Sequence, residues 1–319
     1  MSSPVGLLYN PKSHRVSSKG SVLQAASEAL AHEQTVRLEN FDTLARHMAW
    51  FAECGVKTIL IEGGDGTAQA VITECLSGRA GFAETPSFAL IPGGITNLAP
   101  KTIGLKQWGV KNIIWHVRQL EAGEVHKSTV HHLLKVQPTN GGASRLGFML
   151  STGAAPRAMI YCRAHLHSHG AAGSLAVGLT LLRLLFHRDI KDEQGMPLLR
   201  PTPLSFSTPQ MEKSGNHLFA MATTLPQLLF GLNPFWGKGD GALRFIHAEW
   251  PIKRFTRTAL SMLLGNSGPH LEKRGLNSVK SNMIKLTHDG DFVLDGEFLP
   301  QQPDNTYIVG LTPELRFLR

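Results

Sequence analysis

The first part of the chain alternates short apolar runs with segments whose apolar residues recur every three or four positions. The apolar runs predict buried strands, at residues 5–9, 35–38, 58–61 and 88–91. The periodic segments predict helices, at residues 21–32, 42–53, 68–76 and 107–121. Alternating strands and helices favour a parallel sheet covered by helices, with ligands at the carboxyl ends of the strands.

From residue 128 onward the pattern changes to short β-rich runs between turns, which is typical of an antiparallel sheet. The predicted strands are 129–136, 146–151, 204–207, 218–222, 243–248, 278–286, 292–294 and 307–311, and the predicted helices are 174–186 and 252–264. The expected fold is an N-terminal α/β domain over residues 1–127 and an antiparallel β-sandwich-like domain with helices over 128–302. Residues 303–319 are a candidate segment for a return to the first domain.

One turn of the α/β domain, GGDGT at residues 63–67, has the composition of an anion site. Gly63 and Gly64 permit unusual backbone angles and leave amides bare, and the next residues open a helix whose first amides carry partial positive charge. Phosphate is the usual ligand of such a site. Asp65 would repel a bare phosphate, so it suggests a divalent metal or a hydroxyl donor. An ordinary turn in which Asp65 caps the helix is an equal alternative.

The net charge of +8 and the pI of about 9.5 favour anionic partners: nucleotides, nucleic acid or an anionic bilayer surface. No basic, aromatic-rich segment of an RNA-binding kind is present, so no nucleic-acid partner is expected. The start lacks a secretory signal, and three unpaired cysteines favour a reducing cytoplasm. The longest apolar stretch is too short to span a bilayer. A soluble cytoplasmic protein is expected, with peripheral membrane contact and oligomer formation left open.

Four motifs occur in the order found in diacylglycerol kinase-like lipid kinases: NPKS (10–13), GGDGT (63–67), PGGITN (92–97) and DGE (295–297). The chain resembles the bacterial soluble type of that family, which is related to sphingosine and ceramide kinases. GDGAL (239–243) and STGAAPRAMI (151–160) add to the resemblance, which spans nearly the whole chain. GGDGT alone also marks NAD kinases, whereas PGGITN and DGE favour the lipid kinases.

The resemblance implies an ATP-dependent, Mg²⁺-requiring kinase that phosphorylates a lipid alcohol, diacylglycerol by default, in a cleft between a nucleotide-binding domain and a lipid-substrate domain. It implies Glu297 as the general base and Asp65 as a second catalytic acid, tied to Mg²⁺–ATP or to the acceptor. Asp295 and Asp240 are the implied metal-site residues. The expected nucleotide contacts are Asn10, Ser13, Gly63, Gly64, Gly66, Thr67, Gly94, Thr96 and Asn97.

Some positions depart from the family pattern or have a plainer explanation. His14 stands where the family usually has Gly, Ile95 where a Thr hydroxyl is common, and Leu98 where an acid is common. Asp295–Gly296 and Asp240–Gly241 are also ordinary turn sequences. The alternatives are therefore a ceramide or sphingoid-base kinase, an NAD kinase, or a nucleotide- or lipid-binding regulator with weak or no turnover.

Three further segments favour structural interpretations over functional ones. HLHSH (165–169) favours a solvated loop over a zinc site, because ligand spacing alone is weak evidence for a metal site. The apolar segment 174–191 favours a core helix over an acyl-chain groove. Segment 225–237 is either a pocket mouth or a packed loop. The cations Lys253, Arg254 and Arg257 are most simply a solvated face.

Overall fold

The computed structural model describes residues 3–166, 190–192, 194–228 and 231–319. The chain forms two compact units, one of Met1–His131 with Glu314–Arg319 and one of His132–Pro313. The predicted helix 174–186, most of the apolar segment 174–191 and the last three residues of HLHSH (165–169) lie outside the described residues. No helix in the described part of the chain is both long and apolar enough to cross a membrane.

The first unit contains a six-stranded sheet in the order β2-β1-β3-β4-β17-β5. The first four strands run parallel, β17 is parallel to β4, and β5 is antiparallel to β17 at the edge. Every residue of β1 and β3 is buried, as expected for parallel strands covered on both faces. The strands are β1 (Val5–Tyr9), β2 (Thr35–Arg37), β3 (Thr58–Gly63), β4 (Ser87–Pro92), β5 (Ser128–His131) and β17 (Leu315–Leu318).

Six helices cover this sheet: α1 (His14–Lys19), α2 (Val22–Leu30), α3 (Leu44–Glu53), α4 (Asp65–Leu76), α5 (Leu98–Ile103) and α6 (Val110–Glu121). The apolar faces of α2 and α6 pack on β1 and β3, for example Leu23 and Ile113 against Leu7 and Leu60. The sequence pattern predicted four of these helices. It missed α1 and α5, which are short and follow the turns of the candidate site.

The second unit is built on an eleven-stranded antiparallel sheet in the order β15-β14-β8-β10-β9-β13-β16-β6-β7, with β11 and β12 branching from β10. Its core is formed by inward-facing side chains such as Phe206, Phe245 and Phe292. The strands are β6 (Leu134–Pro138), β7 (Arg145–Gly147), β8 (Met149–Gly153), β9 (Thr202–Ser207), β10 (Glu212–Thr223), β11 (Leu243–Glu249), β12 (Leu276–Ser281), β13 (Ile284–His288), β14 (Phe292–Leu294), β15 (Glu297–Phe298) and β16 (Thr306–Leu311).

Two helices of this unit are described, α7 (Ala154–Leu166) and α8 (Phe255–Leu263). A smaller apolar cluster, which includes Leu218, Ala248 and Leu271, lies against Ile252, Phe255 and Met262 at α8. The sequence pattern predicted α8 within residues 252–264. It did not predict α7, which begins inside a segment expected to be a turn of small residues.

The predicted fold class is confirmed, but the domain boundaries differ from those expected. The predicted strand 129–136 is two strands: β5 pairs with β17 in the first unit, and β6 pairs with β16 in the second. The return to the first unit begins at Glu314 rather than near residue 303, because β16 pairs with β13 and β6. An apolar run does not specify its partner strand, so the sequence could not show this division.

Candidate functional site

The predicted nucleotide-contact residues lie at the carboxyl ends of β1, β3 and β4. In the order β2-β1-β3-β4, the chain connections diverge between β1 and β3, which is the position where open α/β sheets bind ligands. Asn10 follows β1, the GGDGT turn follows β3, and the PGGITN turn follows β4. The fold therefore brings these three turns to one edge of the sheet.

Asn10 joins the first two turns. Its side-chain amide donates to the Thr67 hydroxyl oxygen over 3.0 Å, and its Oδ1 accepts from the Lys12 amide over 2.9 Å. The Asn10 and Thr67 side chains are both buried. Ser13 is half-buried as the N-cap of α1, and among the described residues its hydroxyl makes no capping bond. The hydrogen bond between Asn10 and Thr67 thus ties the end of β1 to the GGDGT turn, and the nucleotide contact of Ser13 stays a prediction.

The glycines of the second and third turns allow two backbones to touch. A methyl group at Gly93 would lie 2.8 Å from the Gly63 Cα, and one at Gly94 would lie 2.7 Å from the Gly64 Cα. The Gly93 amide donates to the Gly63 carbonyl over 2.8 Å. The sequence predicted nucleotide contacts for Gly63, Gly64 and Gly94, and these contacts stay predictions. In the structure, the contact between the turns requires glycine at positions 93 and 94, whereas a Cβ at Gly63 would clash with the Thr67 side chain of its own turn, 2.6 Å away.

Gly66 differs from the other glycines of the motif. A Cβ built on it meets no atom of the described residues within 4 Å. It lies in the first turn of α4, and within the described part of the chain no side chain caps that twelve-residue helix. The first amides of a helix have no intrahelical partners and carry partial positive charge. The α4 N-terminus therefore has the features that favour anion binding, with room above Gly66.

Asp65 caps a helix, but not the one it begins. Its Oδ1 accepts from the Ala99 amide over 2.7 Å and its Oδ2 from the Leu98 amide over 3.0 Å, both at the N-terminus of α5. Burial raises the pKa of the Asp65 carboxyl, although these two amides act in the opposite direction. A carboxylate offers about four lone-pair sites, more than the Leu98 and Ala99 amides use. The turn therefore presents a half-buried carboxylate held in one orientation.

Asn97 holds the third turn in shape. Its backbone is in the left-handed region at φ 52°, and its side chain exchanges two hydrogen bonds of 2.7 Å with the Gly94 amide and carbonyl. Thr96 is half-buried beside it, and Ile95 is exposed. Asn97 is thus occupied within its own turn, and a nucleotide contact of Thr96 stays a prediction.

Sequence reasoning missed Glu62, a fully buried acid beneath the site. Its carboxylate accepts from the Arg15 guanidinium over 3.0 Å, from the Ser21 hydroxyl over 2.6 Å and from the Leu23 amide over 3.0 Å. Arg15 also donates to the Pro92 carbonyl and stacks over the Trp108 ring at 4.2 Å. A single charged residue inside the apolar run ILIEGG was the signal for this network.

The second unit carries the DGE motif on a tight hairpin. Val293 pairs with Phe298 and Leu294 with Glu297, so Asp295 and Gly296 form a two-residue turn with φ values of 50° and 91°. Positive φ at both central residues is the signature of a type I′ turn. Glu297 is exposed at the start of β15. The hairpin explanation of Asp-Gly is confirmed, and it leaves the Glu297 carboxylate in solvent.

Asp295 is bound to backbone. Its Oδ1 accepts from the Met149 amide and its Oδ2 from the Phe148 amide, each over 2.8 Å. Asp240 is exposed in the loop before β11. Among the described residues, no group of three or more His, Cys, Asp or Glu side chains is arranged to hold a metal ion. The metal roles of Asp295 and Asp240 stay predictions.

A cavity of about 190 Å³ lies in the second unit, and its lining includes Leu299 and Pro300, which follow Glu297–Phe298. Apolar side chains form much of the wall, among them Val136 and Tyr307. Arg145 and Gln302 supply polar groups to the lining. The cavity thus combines an apolar wall with polar groups a few residues from the DGE hairpin.

Comparison with known proteins gives a family for the first unit and a fold for the chain. Residues 4–132 match the model of the diacylglycerol kinase catalytic domain. No curated protein sequence matches the chain. The fold resembles a crystal structure from Bacillus anthracis str. Sterne that is provisionally assigned as a diacylglycerol kinase. That pair has a TM-score of 0.64 and 16% identity, over 97% of this chain and 93% of the other.

A second structure from the same organism, described as a diacylglycerol kinase, has a TM-score of 0.61 and 13% identity. The match covers 98% of this chain and 96% of that one. Identities this low establish likeness of fold alone, and the family rests on the match over residues 4–132, which holds the first three motifs. The N-terminal part of the chain, residues 4–132, therefore matches the diacylglycerol kinase catalytic domain family.

Proposed function

We propose that the protein is an ATP-dependent lipid kinase that transfers a γ-phosphoryl group to the hydroxyl of a lipid alcohol, with diacylglycerol as the default acceptor. The family match supports a kinase. The single observation that carries the proposal is the open N-terminus of α4, where Gly66 leaves space next to the oriented Asp65 carboxylate. Phosphoryl transfer depends mainly on positioning and on neutralising charge, which such an arrangement provides.

The triphosphate is proposed to lie over the first turn of α4, because its amides point outward and no side chain of the described residues caps them. The backbone contact of Gly93 with Gly63 keeps this surface rigid. Asn10 and Thr67 support it from below through their mutual hydrogen bond. A rigid phosphate site spends little binding free energy on ordering the protein.

The residues fit a Mg²⁺ ion that arrives with the nucleotide. Such ions are commonly held by one or two carboxylates together with substrate phosphates and water, so a preformed cage of protein ligands is not required. Asp65 would supply the carboxylate, because the two α5 amides use only part of its acceptor capacity. When bound, the ion neutralises charge on the phosphates. Asp295 and Asp240 remain proposed contributors to the metal sites.

Glu297 is proposed as the general base. Its exposed carboxylate takes the proton of the acceptor hydroxyl while the hydroxyl oxygen bonds to the γ-phosphorus. The bond between that phosphorus and the β,γ-bridging oxygen breaks, and ADP leaves. The cavity lined by Leu299 and Pro300 supports an apolar acceptor close to this acid. The proposal requires Glu297 to reach an acceptor whose hydroxyl faces the nucleotide.

A second candidate is a nucleotide- or lipid-binding regulator with little turnover. It is motivated by Ile95, which is 45% exposed at the third turn and cannot supply the hydroxyl donor common in the family. His14, exposed beside the first turn, is the other departure. Ceramide, sphingoid bases and NAD are alternative acceptors for an active enzyme.

The test is transfer of labelled phosphate from ATP, with and without Mg²⁺, to a panel of acceptors in mixed micelles. The panel contains diacylglycerol, ceramide, a sphingoid base and NAD. Labelled phosphatidic acid that requires Mg²⁺ is the expected product. Labelled NADP as the main product would overturn the lipid assignment. Bound nucleotide without any labelled product would favour the regulator.

A further inference from the structure

Helix α8 of the second unit exposes leucines on its solvent face. Leu264, at the end of the helix, is 75% exposed, and Leu260 is 41% exposed. Arg257 is exposed one turn earlier, so the three residues follow a spacing of three and four and lie on one face. The opposite face is already occupied, since Phe255 and Met262 pack on the small apolar cluster. The exposed leucines are therefore not needed for the core of this unit.

Cations border these leucines. Lys253 and Arg254 precede the helix and are exposed, as is Arg257 in its first turn. Residues 250–271 contain no Asp or Glu. The acids that flank this segment are engaged elsewhere: Glu249 with Lys213 and Asn277, and Glu272 with the Trp236 indole nitrogen. No ion pair of the described residues includes Lys253, Arg254 or Arg257, so this segment presents a local positive charge.

The segment also exposes an aromatic side chain, Trp250, at 41%. Single exposed apolar residues are common on protein surfaces and need no explanation. Here two leucines, an exposed tryptophan and three cations occur within fifteen consecutive residues, 250–264. Apolar side chains on a helix face bordered by Lys and Arg are the composition of helices that lie in the membrane interface.

We propose that the surface formed by Trp250, Lys253, Arg254, Arg257, Leu260 and Leu264, the α8 surface, docks the protein on an anionic lipid bilayer. The cations contact lipid phosphates, while Leu260 and Leu264 at the C-terminal end of α8 enter the acyl boundary. Charge complementarity selects a lipid surface of negative charge as the occupant. The inference builds on the proposed function, because the proposed acceptor resides in a bilayer, but binding to vesicles is measured without catalysis.

Flotation of the full-length chain with vesicles tests the docking. We expect binding to phosphatidylcholine vesicles only when phosphatidylglycerol is included, and weakening with salt because exposed charges are screened. Arg257→Glu is expected to lower the vesicle partition coefficient at least tenfold, since each cation contributes roughly fivefold and the change reverses one. Leu260→Ser with Leu264→Ser is expected to lower it by a similar factor.

Matched controls separate the α8 surface from general charge and hydrophobicity. Lys285→Glu reverses an exposed cation on β13 of the same unit, and Val125→Ser removes a side chain that is 97% exposed in the first unit. Both are expected to float like the wild type. All the substituted side chains are exposed, so melting temperatures should not change. The docking proposal would be overturned if phosphatidylglycerol did not increase vesicle binding of the wild-type protein. It would also be overturned if the α8 variants bound vesicles as strongly as the wild type.

A kinetic arm distinguishes docking from catalysis. The double leucine variant is expected to lose activity on an acceptor embedded in vesicles but to retain it on a short-chain acceptor dissolved as monomers. Vesicle binding without any kinase activity would leave docking intact and count against the proposed function. Equal loss on both acceptors would contradict docking and assign the leucines to the catalytic fold.

Discussion

The Oδ1 of Asp65 accepts a hydrogen bond of 2.7 Å from the amide of Ala99, which links the turn after β3 to the helix that follows β4. Together with the bond from Leu98, it fixes the Asp65 carboxylate on the N-terminus of α5. The same acid that the family resemblance assigns to catalysis therefore also holds two turns of the site together. Substitutions at this position should affect both stability and activity.

Asp65→Asn is expected to lower the free energy of unfolding by about 1–2 kcal/mol, because an amide side chain offers one acceptor to two backbone donors and no charge to the helix terminus. Denaturant unfolding of the purified variant measures this. Asp42→Asn is the control, since Asp42 is exposed and should change stability little. Equal stability of the two variants would show that the Asp65 contacts are energetically unimportant.

The glycines of the site are expected to respond differently to a single methyl group. Gly94→Ala places a Cβ 2.7 Å from the Gly64 Cα and should destabilise the first unit by about 1–3 kcal/mol. Gly66→Ala meets no described atom, so stability should be unchanged or up to about 1 kcal/mol higher in a helix.

Gly66→Ala, which should leave stability intact, is the variant that tests whether phosphate lies over α4. Gly66→Ala is expected to weaken ATP binding on the order of tenfold despite its intact fold, because its methyl group occupies the phosphate position. Calorimetric titration of ATP at a temperature well below unfolding measures the affinity. An unchanged ATP affinity of Gly66→Ala would show that the phosphate does not bind at this helix terminus.

Glu62 is expected to be among the most important side chains for the stability of the first unit. Glu62→Ala leaves Arg15 without its carboxylate and removes the acceptor of the Leu23 amide, which should cost about 3–5 kcal/mol. Glu39→Ala is the matched control, because the Arg37–Glu39 ion pair is 57% and 64% exposed and should contribute under about 1 kcal/mol. Thermal unfolding of both variants compares them, and similar losses would contradict a buried network.

The second unit should lose stability in acid because of a buried histidine. His247 is fully buried against Phe206 and Phe245, and burial lowers its pKa from 6.5 to about 3. A lowered pKa in the folded state means that the stabilising contribution is complete above pH 6.5 and is lost as the pH falls toward 3. The expected loss at pH 3 is on the order of 5 kcal/mol.

Denaturant unfolding at a series of pH values tests this expectation. His247→Leu keeps a side chain of similar volume without a titrating group, so its stability should depend less on pH between 6.5 and 3. His270→Leu, an exposed position, should follow the wild-type profile. Parallel profiles for wild type and His247→Leu would assign the acid sensitivity to other groups.

Glu297→Gln is expected to lower kcat by about 100- to 10,000-fold, because the amide cannot take the acceptor proton. Stability and ATP affinity should not change, since Glu297 is exposed on the hairpin of the second unit. Glu212→Gln, an exposed acid at the start of β10, is the control and should retain full activity. Transfer to the lipid at the wild-type rate by Glu297→Gln would refute the base assignment.

Local sequence patterns were enough to predict the two kinds of architecture, the α/β unit and the antiparallel β unit. Strand β1 was predicted at its observed bounds and β3 and β4 to within two residues, because buried parallel strands are continuous apolar runs bounded by polar or turn-forming residues. The motifs at residues 10–13, 63–67 and 92–97 predicted turns at the ends of these strands. Such features are local, so neighbouring residues are sufficient to specify them.

The contacts between distant groups became visible in the folded chain and could not be predicted from the sequence. It showed that Asp65 caps α5, that Gly94 packs on Gly64, and that Asp295 binds the Phe148 and Met149 amides. It also placed β5 and β17 together in the first unit, although 183 residues separate His131 from Leu315 in the chain. Contacts between distant segments depend on how strands pair and helices pack, and a local pattern of apolar and polar residues does not carry that information.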